Sequence, residues 1–152
     1  MNKSKFLTDS RNLNIVVILF LITNTILIIT GAIYAILGTF MSYHVDYTGL
    51  TESEVASYNP KLMILISVFI RLLGVNEMVI GISGIYINIY GIRKKEKWAW
   101  NLILIVSTMW FIPTLILTLI ITGIFGLPFV LSFIVGIITV IALYISYKDI
   151  FK

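Results

Sequence analysis

Cysteine is absent from the 152 residues. That excludes disulfide frameworks, thiolate metal sites and C-x-x-C redox chemistry, and with them the small four-helix membrane thiol oxidoreductases. His44 is the only histidine, which excludes a haem held between two histidines. Charge is scarce as well: 12% of the residues are Asp, Glu, Lys or Arg, against about 25% in soluble domains. No nucleophile stands in a pattern with a base, and no metal-ligand cluster is evident, so an enzyme acting on lipid finds no support and no cofactor is expected.

What the chain has instead is apolar sequence. Hydrophobic residues make up 59% of it, and the mean hydropathy is +1.04. A soluble fold of this length would expose apolar patches large enough to aggregate, so lipid is the solvent that suits it. A spanning helix needs about 20 mostly apolar residues, and four segments qualify: 13–41, 62–92, 98–122 and 127–147. The expected fold is all-α, a single polytopic domain over 1–152 built as a four-helix transmembrane bundle. The first two segments exceed the minimum, which predicts tilt or a helical turn emerging into the headgroups.

The first segment has a basic start in Lys3, Lys5 and Arg11. Its apolar run far exceeds the roughly 7–15 residues of a signal-peptide core, and Gly31, Ala32 and Ala35 form no A-x-A site. It reads as a retained anchor.

Orientation follows from Lys and Arg in the short connections. The N-terminal tail, the turn Arg93-Lys94-Lys95-Glu96-Lys97, and Lys148 with Lys152 fall on one side of a four-crossing chain. The other side has only Lys61, with Asp46, Glu52 and Glu54. Both termini are therefore expected in the cytoplasm of a cell-membrane protein. Trp98, Trp100, Tyr144 and Tyr147 mark the inner interface, and Tyr43, Tyr47 and Tyr58 the outer one. Topology thus accounts for the net charge of +4, and no nucleic-acid partner is implied. The Asn2-Lys3-Ser4 sequon falls on the cytoplasmic side and carries no glycosylation meaning. The basic turn (Arg93, Lys94, Lys95, Lys97) is also a candidate contact for anionic lipid headgroups.

Between the first two spans lies the one sizeable loop, 42–60. Thr51-Glu52-Ser53-Glu54 reads as a capping box, Thr51 at N-cap and Glu54 at N3, and predicts a short helix over 51–58. Pro60 suits the first turn of the second span, Pro128 starts the fourth, and Pro113 predicts a kink in the third. His44, Asp46, Glu52 and Glu54 form either a solvated cap over the bundle or a weak metal-ligand set; the cap is the plainer reading.

Small and polar residues let membrane helices approach and pair. The second span carries such a stripe in Ser67, Gly74, Glu77, Gly81, Gly84, Asn88 and Gly91. The first offers Asn24, Gly31, Ala35 and Gly38, the third Ser107, Thr114, Thr118 and Thr122, and the fourth Ser132, Gly136, Thr139 and Ser146. All read first as packing seams.

Arg71 and Glu77 stand apart, because a charge at the bilayer centre costs about 2.5–3.5 kcal/mol. They differ by about 120° around the helix and about 9 Å along it, too far for a simple i,i+4 pair. Three arrangements are open. The two close on each other as an ion pair that fixes register; or Arg71 snorkels to the outer surface beside an uncharged Glu77; or they line a polar site, completed by Asn76, Asn24 and Asn88, where Arg71 takes an anionic group and Glu77 a proton or cation.

The run Tyr47-Thr48-Gly49 with Glu54 and Asn59-Pro60, then Arg71-Leu72-Leu73-Gly74, then Arg93 to Trp98-Ala99-Trp100 resembles small four-helix prokaryotic membrane proteins, loosely those of DoxX-like plan. The resemblance covers about half the chain and implies fold and compartment, with no substrate. Small multidrug exporters carry their essential Glu in the first helix, where this chain has no acid. The glutathione-dependent membrane enzymes of eicosanoid metabolism need several arginines near the site, and here one lies in a span. Two functions are therefore expected: binding or passing a small amphiphile or ion near Arg71 and Glu77, or service as a structural or accessory subunit that associates with itself or another membrane protein.

Overall fold

The computed structural model describes residues 10–152; Lys3, Lys5 and the Asn2-Lys3-Ser4 sequon lie outside the described residues. Six helices run in order: α1 (Arg11–Leu37), α2 (Ser42–Thr48), α3 (Glu52–Tyr58), α4 (Pro60–Tyr90), α5 (Lys97–Thr122) and α6 (Leu127–Phe151). A 3₁₀ turn, Ile92–Lys94, links α4 to α5, and no strand occurs among the described residues. Four helices (α1, α4 with its 3₁₀ turn, α5 and α6) are long and apolar enough to cross a membrane. The chain is an all-α bundle of a membrane protein.

The pairing of α1 with α4 is the most intimate in the fold, and its glycines explain why. A Cβ on Gly31 would lie 2.5 Å from the Gly74 carbonyl oxygen and 2.8 Å from the Met78 nitrogen, and one on Gly74 would strike the Ala35 nitrogen. Backbone meets backbone there, which only glycine allows. One helical segment further down, Gly81 faces Asn24 and Ile28 in the same way.

α6 packs on both α1 and α5, whereas α5 scarcely touches α4. This corrects the expectation that all four stripes are seams. Thr114, Thr118 and Thr122 on α5 donate their hydroxyl protons back to carbonyls of their own helix and do not bridge to α4. A Cβ on Gly136 would meet nothing within 4 Å, so that glycine is no packing device.

The bundle is tight at one end and open at the other. At the end bearing the basic turn, Leu13, Val16 and Phe20 of α1 interlock with Ile92, Ala99 and Ile103, and with Ala142, Leu143 and Ile150 of α6. Ser10 caps α1 and also donates to Asp149 at 2.7 Å, tying the start of the described chain to its last helix. Asn88 donates to the Val17 carbonyl at 2.9 Å. Around this end lies an aromatic and cationic belt: Lys94 stands 5.7 Å from the Tyr90 ring, Lys97 5.5 Å from Phe151, and Lys148 5.8 Å from Tyr144. The Trp100 indole donates to the Leu143 carbonyl at 3.0 Å.

The largest departures from expectation have local reasons. α1 ends at Leu37, short of residue 41, because Gly38 turns left-handed at φ 60° and closes the helix onto Tyr34. The loop then holds a second short helix, α2, whose backbone start is capped by His44: its Nδ1 accepts from the Met41 N–H at 3.0 Å. α6 runs on to Phe151, past 147, held by stacking of Phe151 on Tyr147 and its edge contact with Trp100. The capping box on α3 is present, with the Thr51 hydroxyl and N–H both on Glu54. α5 continues through Pro113 without a break.

Depth follows from helix rise. From Tyr90 back to Arg71, α4 climbs about 28 Å, close to a hydrocarbon layer of about 30 Å. A layer resting on the Tyr90 belt thus reaches up to Arg71, at the level where α1 stops. Glu77 lies about 9 Å inside that boundary.

A cavity around Glu77

The loop end is where the charged residues of α4 are resolved, and the structure separates them. The Arg71 guanidinium donates to three successive carbonyls at the end of α1: Ala35 at 2.8 Å, Ile36 at 2.7 Å and Leu37 at 3.0 Å. These are the carbonyls a helix C-terminus leaves without partners, at the negative end of its dipole. Gly38 accommodates the arginine, since a Cβ there would collide with its side chain. Arg71 is a helix cap supplied by a neighbouring helix.

Glu77 points elsewhere. Its Oε2 is 3.0 Å from the Thr30 hydroxyl, the only hydrogen bond it makes among the described residues. No ion pair joins it to Arg71. The carboxylate lies on the wall of a cavity of about 240 Å³ between α1, α4, α5 and α6, in the half of the bundle nearer the loop. Tyr34, Tyr43, Trp110 and Phe111 contribute rings to that wall, and Thr114, Thr118 and Ser132 contribute hydroxyls. A contiguous space bordered by Ile70 and Leu73 of α4 and by Leu117 and Ile121 of α5 carries the cavity out through the seam where those two helices part. The opening is lateral, toward lipid.

Above the cavity, Tyr34 of α1 and Tyr43 of α2 share a short hydrogen bond between their hydroxyls, so α2 roofs the chamber. Burial pushes the His44 imidazole below its ordinary value of 6.5. Glu54 is held below the usual carboxylate range by the Thr51 hydroxyl and N–H. His44 and Glu54 therefore serve as caps of α2 and α3, while Asp46 and Glu52 stand on the surface of these short helices. Among the described residues no three His, Asp or Glu side chains gather as a metal-ligating group.

Beneath the first chamber lies a second of about 210 Å³, bordered by Thr23, Asn24, Ser83, Ser107 and Thr139. Leu27, Trp110 and Phe111 belong to both walls and form the partition. Asn24 donates to the Phe20 carbonyl at 2.6 Å and packs its amide on Gly84. Of the five residues expected to share one polar network, then, Glu77 lines the upper chamber and Asn24 the lower. Arg71 is outside both, Asn88 is in the tight core with its Oδ1 unpartnered, and Asn76 is exposed on the outer face of α4. The basic residues Arg93, Lys94, Lys95 and Lys97 form the turn at the far end of the molecule.

Sequence reading missed Thr30, Tyr34, Tyr43 and Trp110 as site residues. A signal existed: Trp110, Thr114 and Thr118 recur at four-residue spacing and so share one face of α5. No protein-family model, curated protein or solved structure matches the chain, and the geometry of the cavity is what carries its chemistry.

Proposed function

We propose that this integral membrane protein binds a small amphiphile in the Glu77 chamber, admitted sideways between α4 and α5. One observation carries the reading: an intramembrane carboxylate, costly to keep there, is held by a single hydroxyl and faces a laterally open cavity. The chamber, at about 240 Å³, approaches the lower end of the roughly 300–1,000 Å³ of small-molecule sites, with an apolar wall and few polar groups. By the charge rule for short loops, the basic end faces the cytoplasm of a cell membrane and can meet anionic headgroups, which sets the chamber in the outer leaflet.

The test is mass spectrometry of small molecules retained by the protein purified in mild detergent. Wild type is expected to keep a species that Thr114→Trp, which fills the chamber, does not retain. An identical complement in both proteins overturns the reading.

A second reading, self-association, is favoured by Asn76, which is exposed and lies about 7 Å inside the Arg71 boundary. An unpaired amide facing lipid is costly, and a second copy's Asn76 would supply both donor and acceptor across a two-fold axis. Cross-linking in membranes should show dimers that Asn76→Leu weakens; an unchanged monomer band in both refutes it.

A further inference from the structure

The chamber has a sign. We infer that its ligand is a lipophilic organic cation, an alkyl- or arylammonium, whose charged nitrogen sits between Glu77 and the surrounding aromatic rings; this rests on the chamber being a binding site.

Three observations point the same way. First, the wall carries one acid, Glu77, and no Lys or Arg; His44 borders the contiguous space toward the seam, where burial disfavours its charged form, and the hydrogen-bond partner of Glu77 is the neutral Thr30 hydroxyl. The cation that would make it a self-contained ion pair, Arg71, has its guanidinium engaged by three α1 carbonyls. An anionic ligand would find no counter-charge here and would face the carboxylate.

Second, two of the neighbouring hydroxyls, those of Thr114 and Thr118, are acceptors toward the cavity. The proton of Thr114 goes to the Trp110 carbonyl at 2.7 Å, and that of Thr118 to the Thr114 carbonyl at 2.8 Å. Each hydroxyl has one proton to give and two lone pairs, so what these two threonines offer a ligand is oxygen lone pairs.

Third, Tyr34, Tyr43, Trp110 and Phe111 ring the same space. Aromatic rings attract cations through their quadrupole, more strongly when the cation is desolvated, and they hydrate it poorly enough to favour quaternary or alkylated nitrogen over a bare metal ion. A carboxylate with rings and without a lysine or arginine is therefore a site for an organic ammonium. Its apolar remainder suits a hydrocarbon tail, and the lateral opening suits a ligand that partitions into lipid first.

The experiment compares three probes of similar shape on the full chain in non-ionic maltoside detergent: benzyltrimethylammonium, its neutral carbon isostere neopentylbenzene, and the anion phenylmethanesulfonate. Binding is read by isothermal titration with wild type, Glu77→Gln and Glu77→Asp, each first shown to unfold with a wild-type-like thermal transition. The cation is expected to bind wild type at least about tenfold more tightly than the neutral probe, the scale of one desolvated cation–ring contact. Glu77→Gln should cut that preference to what the rings alone supply, and Glu77→Asp should keep most of it. Equal affinity for the cation and the neutral probe, or preference for the anion, overturns the cation assignment while leaving the chamber a binding site. Failure of all three probes to bind folded wild type overturns the binding-site reading itself.

Discussion

Replacing Arg71 by leucine should destabilise the protein through the end of α1, and the size of the effect follows from the hydrogen bonds its guanidinium makes. Three charge-assisted bonds end on α1 carbonyls, at 2.7 to 3.0 Å. A hydrogen bond to a charged group contributes about 1.5–3 kcal/mol when buried, and a cation at a helix C-terminus about 0.3–1 kcal/mol. Arg71 is exposed, so headgroups and water compete for both partners and the sum must be discounted heavily. Leucine is also easier to place near lipid. A net loss of about 1–3 kcal/mol remains. Arg71→Lys keeps the charge but loses the fork that reaches three acceptors at once, and should fall between the two.

The assay is reversible unfolding in detergent, paired with amide exchange at Gly38, whose N–H closes α1 on the Tyr34 carbonyl at 2.9 Å. Arg71→Leu should speed exchange there and leave the core at the opposite end protected. Gly38→Ala offers an independent route to the same damage, because its Cβ would occupy the place of the Arg71 side chain. The two substitutions should therefore be less than additive. Stability within about 0.5 kcal/mol of wild type and unchanged Gly38 exchange would refute the cap. Loss of ligand with stability intact would return Arg71 to the binding site.

The glycines of the bundle should divide sharply. Gly31→Ala drives a methyl to 2.5 Å from the Gly74 carbonyl and should cost about 1–3 kcal/mol, as overpacking does, whereas Gly136→Ala meets open space and should be neutral or stabilising by up to about 1 kcal/mol; thermal unfolding of the two variants side by side checks this, and equal effects would refute the backbone crossing. His44 should make the loop end acid-labile. Its folded value lies below the 6.5 of the free side chain, so the unfolded loop takes up more protons, and stability fully present above about pH 6.5 is lost as pH falls from there through the folded value. The Met41 amide, which donates to His44 Nδ1, should then exchange faster at pH 5 than at pH 7.5 after correction for intrinsic rates, and His44→Asn should abolish the difference.

The spans were legible because lipid imposes a crude rule, length and apolarity, that a single sequence displays openly. The pairing of Gly31 with Gly74 was half legible: spacing marks a stripe, but which stripe meets a partner depends on the bundle. That is why Gly136 and the α5 threonines, similar in pattern, face open space and a cavity. The charges were least legible. Arg71 and Glu77 share one helix and invite pairing, yet the stronger claim on Arg71 comes from carbonyls left bare where Gly38 ends α1, a demand invisible until the end of that helix is known. Asn76 and Glu77 are adjacent in sequence, and helical geometry turns one outward and the other toward α1.

The two ends of the bundle answer different demands. Close packing of α1, α6 and the 3₁₀ turn at the basic end, with Asn88 and Trp100 tied to carbonyls of other helices, leaves no room for a ligand and fixes the helices relative to one another. At the loop end α5 is released from α4, and in the proposed reading that seam admits a molecule from the lipid to the carboxylate. Arg71 then has a role beyond stability. By capping α1 it fixes the wall that carries Thr30 and Tyr34, and it removes from the chamber the one positive charge that would have neutralised Glu77. The cap and the site are two consequences of where a single arginine points.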